Sequence, residues 1–128
     1  MLLALAEQQG IQSDVIPKIA TTFCSGFSRT AGLCGAVTGA AMGISLALGR
    51  STPSESVEPS YSAMRQFLQQ FTERFGSINC HELTGCHLGT PEGQAKFRAE
   101  NRFADCQNYA ATAAGLAAEI IARTNELP

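Results

Sequence analysis

Five cysteines in 128 residues, Cys24, Cys34, Cys80, Cys86 and Cys106, make sulfur the chemistry to explain. Cys34 opens the run Cys34-Gly35-Ala36-Val37-Thr38-Gly39, at the start of an uncharged stretch. At a helix start, unpaired backbone N–H groups and the helix dipole favour negative charge, so a thiol there is biased toward thiolate. Gly35 and Ala36 leave room beside that sulfur for a second sulfur, a metal or a neighbouring backbone, and Gly39 extends the clearance by one turn. Packing is the competing reading, because cysteine is also a small hydrophobe. Cys80 follows Ser77-Ile78-Asn79, where a hydroxyl or amide can cap a short helix ending before Gly85. Cys106 falls on the inward stripe of the last helix, from which it can converge on the other two. These residues form a candidate catalytic set for thiol–disulfide exchange. Cys34 is the low-pKa attacking thiolate, Cys80 the partner or resolving thiol, and Cys106 a third sulfur in the same pocket. The chain has no C-x-x-C, so the pairing must come from the tertiary fold, across gaps of 45 and 25 residues.

Exchange of this kind needs no cofactor. The same Cys34, Cys80 and Cys106 also suit zinc or an iron–sulfur cluster, with His81 or His87 completing the set. That metal reading is the alternative. Against it, tight ligand pairs usually stand about two to four residues apart, and Cys80 and Cys86 are separated by five. The C-x-x-C-H signature of haem attachment is also missing. His81 and His87 read more simply as exposed polar residues, and Cys24, one turn before a glycine stop, as packed. Cys86 is assigned no role. A third reading, a non-catalytic helical interaction protein whose cysteines merely pack, stays open.

Composition narrows the partners. A formal charge of -2, a pI near 5.6 and no basic cluster argue against nucleic acid. The length fits one domain, 1–128, with room for a real core. An odd cysteine count without a secretory signal points to a reducing cytoplasm, with an unidentified redox partner and homo-oligomerisation left open. Thr30 to Gly49 is uncharged and long enough to span a bilayer, and Gly35, Gly39 and Gly43 recur every fourth residue. Glycine and hydroxyl side chains dilute its transfer energy, and no aromatic belt flanks it. A buried, glycine-rich central helix in a protein without membrane insertion fits better.

The elements that must position the sulfurs are helical. Leu2 to Gln9 reads as a helix stopped by Gly10, and a second runs from Ser13 to about Cys24. Gly26 and Gly32 bracket a turn before the Cys34–Leu48 helix, which Gly49 closes. From Pro59 the apolar residues Met64, Leu68, Phe71 and Phe75 recur at helical spacing until Gly76. Thr90-Pro91-Glu92 is a strong start signal, with a hydroxyl cap, a proline and an acid near the dipole's positive end. The last helix reaches Arg123, with Phe103, Cys106, Tyr109, Ala113, Leu116 or Ala117, and Ile120 on one face. The expected fold is an all-α bundle of about four or five helices.

This pattern resembles the C_GCAxxG_C_C family of cysteine-rich, redox-type proteins. The match runs through Cys34-Gly35-Ala36-Val37-Thr38-Gly39, then Cys80 after Arg74-Phe75-Gly76-Ser77-Ile78-Asn79, then Cys106. Phe23 to Gly39 and Thr90-Pro91-Glu92-Gly93 share the family's texture, so the resemblance covers nearly the whole chain. It implies selenol or thiol redox chemistry but no substrate. The family's first cysteine, which precedes the first helix, has no counterpart here, and Cys24 and Cys86 are additions. Leu2, Leu3, Leu5 and Ala6 are in register with nothing ahead of them to cap the helix. The expectation is therefore that Met1 is internal to a longer native helix.

Overall fold

Capping and stop residues divide the chain much as their chemistry dictates. The computed structural model describes residues 1–127, and in them the protein is all-helical, with 72% helix, no strands and eight helices. In chain order these are α1 (Leu2–Gln8), α2 (Val15–Ala20), α3 (Ser25–Arg29), α4 (Gly35–Leu48), α5 (Glu58–Phe75), α6 (Cys80–Thr84), α7 (Pro91–Ala99) and α8 (Arg102–Asn125). A 3-10 turn at Thr21–Phe23 follows α2. The expected count of four or five is thus too low, although the class is right. The excess has local causes. Asn101 takes a left-handed conformation (φ 49°) that breaks the C-terminal stretch into α7 and α8. The turn expected between Gly26 and Gly32 contains α3, and the short α6 stands on its own between Asn79 and the left-handed Gly85.

The three long helices build the core. Val37, Ala40 and Ile44 of α4 meet Phe67 and Phe71 of α5 and Ala113, Ala117 and Ile120 of α8, all essentially removed from solvent. Burying each phenylalanine contributes about 1.5–3 kcal/mol. The central helix is glycine-rich because α1 lies directly on it: a methyl group at Gly43 would run into the side chain of Leu5. Leu2, Ala6 and Ile16 form a smaller cluster under α2, with Met42 packed against it. The central helix has 14 residues, and among the described residues no helix is long and apolar enough to cross a membrane.

The unusual element is α3. Its five residues all have positive φ (Ser25 55°, Gly26 64°, Phe27 53°, Ser28 61°, Arg29 66°), so it is a left-handed helical turn. For L-residues other than glycine this winding costs about 1–2 kcal/mol each, because Cβ crowds the following carbonyl oxygen. Its bonds hold it in place. The Ser28 N–H donates to the Cys24 carbonyl at 2.8 Å, and the Ser28 hydroxyl donates to the Thr22 carbonyl at 2.6 Å. The Phe27 ring meets Phe23 edge-on at 5.2 Å. Gly26 alone is buried, and a Cβ there would lie 2.6 Å from the Cβ of Cys80.

Ser25 takes this left-handed conformation with no side-chain hydrogen bond among the described residues to offset it. Ser25→Gly should therefore raise the thermal midpoint by a few degrees, since relief of about 1 kcal/mol outweighs glycine's added chain entropy. Gly26→Ala should lower it, through both φ and the contact with Cys80. Thermal unfolding under reducing conditions checks both. An unchanged or lower midpoint for Ser25→Gly would mean the left-handed turn is not strained.

Candidate functional site: a cavity with three cysteines

Two backbone hydrogen bonds bring the first pair of sulfurs together. Leu33 and Asn79 form an isolated antiparallel bridge. Beside it, the Cys34 N–H donates to the Ile78 carbonyl at 2.8 Å and the Cys80 N–H donates to the Gly32 carbonyl at 2.9 Å. Each pairing ends at once in a helix: Cys34 is the N-cap of α4 and Cys80 the first residue of α6. The third sulfur comes from α8. Tyr109 lies three residues beyond Cys106, on the same helix face. It donates its hydroxyl to the Leu83 carbonyl of α6 at 3.0 Å, and its ring packs against Phe75 at 4.8 Å. As a result Cys34, Cys80 and Cys106 all line one cavity of about 310 Å³. Cys34 and Cys80 are buried, at 8% and 7% exposure, whereas Cys106 is half-buried.

Burial dominates the electrostatics. The N–H groups of Ala36 and Val37 do stabilise a Cys34 thiolate, as a helix start should, but desolvation is larger and the pKa is raised. The expected low-pKa thiolate at Cys34 is therefore corrected: in this resting structure the sulfur is held as a thiol. Desolvation raises Cys80 too, helped by the charge of Cys34 and opposed by the Thr84 hydroxyl. Cys106 is pushed up to about 11, first by desolvation and then by the charges of Cys34, Cys80 and Asp105. Ionising any one of the three makes the others harder to ionise.

The remaining candidates lie elsewhere. Cys24, expected to be packed, is instead exposed because it lies in the extended link between the 3-10 turn and α3. It lines a neighbouring apolar cavity, with its S–H directed at the Ala20 carbonyl at 3.8 Å. Cys86 is 1% exposed and points at the Thr84 carbonyl at 3.4 Å, as a packed residue would. The rings of His81 and His87 stand 5.6 Å apart, outside the three-cysteine cavity, and His87 Nδ1 accepts from the Gly89 N–H at 3.0 Å. Among the described residues no three His, Cys, Asp or Glu side chains are grouped to hold one metal ion. Phe103 was expected on the inward stripe of α8 but is 61% exposed, at the cavity wall beside Cys106. Sequence reasoning missed Gly26, Thr84, Arg29 and Arg98 as neighbours of the sulfurs. Only Gly26 carried a signal, as a glycine in a turn.

The profile of the family described as "Putative redox-active protein (C_GCAxxG_C_C)" matches residues 1–120 of the chain. No curated protein and no solved structure matches it.

The raised thiol pKa values have a consequence for stability. Above a thiol's ordinary value of 9.0 the unfolded chain loses protons that folded Cys106 keeps until about pH 11. The unfolded state then binds fewer protons, so stability falls as pH rises through that window. Cys34 and Cys80 act in the same direction, as does Tyr109, whose pKa burial also raises. Denaturant unfolding at pH 8 and at pH 10.5 should show this loss, and Cys106→Ala should lose about 1–2 kcal/mol less than the parent. An equal loss in both would refute the assignment to Cys106.

Proposed function

We propose that this chain, which belongs to the C_GCAxxG_C_C family, performs thiol–disulfide exchange through Cys34, Cys80 and Cys106. It would act as a single domain in a reducing cytoplasm. The observation that carries this reading is the convergence of three sulfurs, from three different helices, on one cavity. Cys34 is the favoured attacking group. It alone has two backbone N–H groups aimed at a developing thiolate, from Ala36 and Val37. Attack on a substrate disulfide RS–SR′ forms a Cys34–SR bond and breaks the substrate S–S bond, and R′S⁻ leaves with the proton given up by Cys34. Cys80 then attacks the Cys34 sulfur. A Cys34–Cys80 disulfide forms, and the second half of the substrate leaves as RSH. The substrate has gained two electrons and two protein thiols have lost them. The reset begins when half-exposed Cys106 attacks Cys80 and frees Cys34 as a thiol. A thiol reductant R″SH then attacks the Cys80–Cys106 disulfide, and a second R″SH releases the mixed disulfide as R″S–SR″, restoring both protein thiols.

Burial suits this sequence. A disulfide does not ionise, so once formed it spares Cys34 and Cys80 the cost that this poorly solvated space puts on a thiolate. The metal reading of Cys34, Cys80 and Cys106 would offset thiolate charge with a cation, but among the described residues no three His, Cys, Asp or Glu side chains are grouped to hold one.

Acid-quenched reaction of the reduced chain with limiting small disulfide, followed by peptide mass spectrometry, tests the proposal. The expected product is a Cys34–Cys80 disulfide. Cys80→Ser should stop at a mixed disulfide on Cys34, and Cys34→Ser should react at least about tenfold more slowly. Wild-type rates in Cys34→Ser, or a first adduct on Cys24 or Cys86, would end the reading. Zinc or iron near one per chain after anaerobic purification, lost in Cys34→Ser, would favour the metal alternative. Less than about 0.1 per chain would count against that alternative, given the tight binding of thiolate sites.

A further inference from the structure

We infer that the cavity selects a small anionic disulfide, held through Arg29 and Arg98; this inference rests on the thiol-exchange reading above. The argument starts from charge. The chain is acidic overall, with 11 Asp and Glu against 9 Lys and Arg. Yet Arg29 and Arg98 line the three-cysteine cavity, and no carboxylate does. The carboxylate whose charge reaches Cys106, Asp105, is bound to Arg102 at 3.2 Å. Among the described residues Arg29 and Arg98, like Arg50, Arg74 and Arg123, make no ion pair, and of these five only Arg29 and Arg98 line the cavity. Arg29 and Arg98, each carrying a planar fork of donors, thus line a space whose other walls are sulfur, aromatic and aliphatic side chains with the neutral polar Ser25, Thr84 and Gln94.

The elements that carry these cations are separate. Arg29 ends the left-handed α3, which lies against Cys80 through Gly26, and Arg98 is in the last turn of α7. The cavity, at about 310 Å³, is at the low end of small-molecule pockets. It therefore fits a low-molecular-weight disulfide better than a protein loop. A carboxylate on each half of such a substrate would meet one arginine, leaving the S–S bond over the sulfurs between them. The same cations stabilise the thiolate that leaves, so their effect is greatest as negative charge develops.

The test measures the reduced chain against three disulfides of similar intrinsic reactivity: dithiodipropionate (dianionic), hydroxyethyl disulfide (neutral) and cystamine (dicationic). Each rate is divided by that of a simple free thiol under the same conditions. The expected order is dianion, then neutral, then dication, with about tenfold between the first two that shrinks in high salt. Arg29→Gln with Arg98→Gln should bring the ratio to that of the free thiol. Arg98→Lys should keep part of it, and Arg123→Gln, the same loss of charge outside the cavity, should keep all of it. A redox-inert arm separates this inference from the exchange reading. Thiodipropionate should shift amide resonances around the cavity more strongly than neutral thiodiethanol, and the double Gln variant should abolish the difference. Disulfides that react without charge preference, together with no thiodipropionate binding, would overturn the anion site and leave thiol exchange standing. Binding of thiodipropionate with no reaction of any disulfide would do the reverse.

Discussion

The site depends on one short piece of backbone pairing. Cys34 and Cys80 belong to helices that begin 45 residues apart in sequence, and neither helix packs the other across a broad face. What joins them is the Leu33–Asn79 bridge with its two flanking hydrogen bonds, from Cys34 to Ile78 and from Cys80 to Gly32. Backbone bonds of this kind are indifferent to side-chain identity, so they leave both cysteine side chains free for chemistry. They also satisfy N–H groups that a helix start would otherwise leave unpaired. A helical protein thus uses a fragment of sheet where it needs two fixed points a few ångströms apart.

Once the sulfurs are gathered, the balance between dipole and desolvation decides their state. A helix N-terminus stabilises a thiolate most effectively where the sulfur also keeps some contact with water or a cation. Cys34 has the N–H groups but little water, and burial prevails. The mutual repulsion of Cys34, Cys80 and Cys106 adds to the cost of each charge. The cavity therefore favours neutral thiols at rest, which on the proposed reading ionise as an electrophilic sulfur arrives. Arg29 and Arg98 line the same cavity, and neither changes the resting balance at the three sulfurs.

Much of this was legible in the sequence because capping chemistry is local. Thr90 caps α7 by accepting from the Gly93 N–H at 3.0 Å. Gly10, Gly76 and Gly85 take the left-handed φ values expected of helix stops, and α4 begins and ends where Cys34 and Gly49 suggest. Spacing on α8 also put Cys106 on an inward stripe from which it could meet Cys34 and Cys80, and the three line one cavity. The limits were equally physical. The direction of the Cys34 shift depends on how much protein surrounds it, which its neighbours in sequence do not reveal. Phe103 has the right helical phase, but the break at Asn101 leaves that end of α8 at a cavity wall rather than in the core. Arg29 and Arg98 are ordinary surface residues by any local rule.

The left-handed α3 is the least legible element and the one that ties fold to site most closely. Nothing in Ser25-Gly26-Phe27-Ser28-Arg29 except Gly26 favours positive φ, so the conformation is imposed from outside the segment. Two constraints can impose it. The chain must leave the 3-10 turn, where Thr38 Oγ1 holds the Phe23 carbonyl at 2.7 Å, and must reach the Leu33–Asn79 bridge from the side of Cys80. It must also present Gly26 against the Cys80 Sγ, where even a methyl group would sit 3.1 Å from sulfur. A right-handed turn of the same five residues would reverse the side on which Gly26 and Arg29 emerge. Strain of this kind persists where surrounding contacts over-determine it, and it gathers at functional sites. Here it keeps side chains off one face of Cys80 and sets an arginine at the cavity, so its energetic cost is borne for the geometry of the sulfurs rather than for the core.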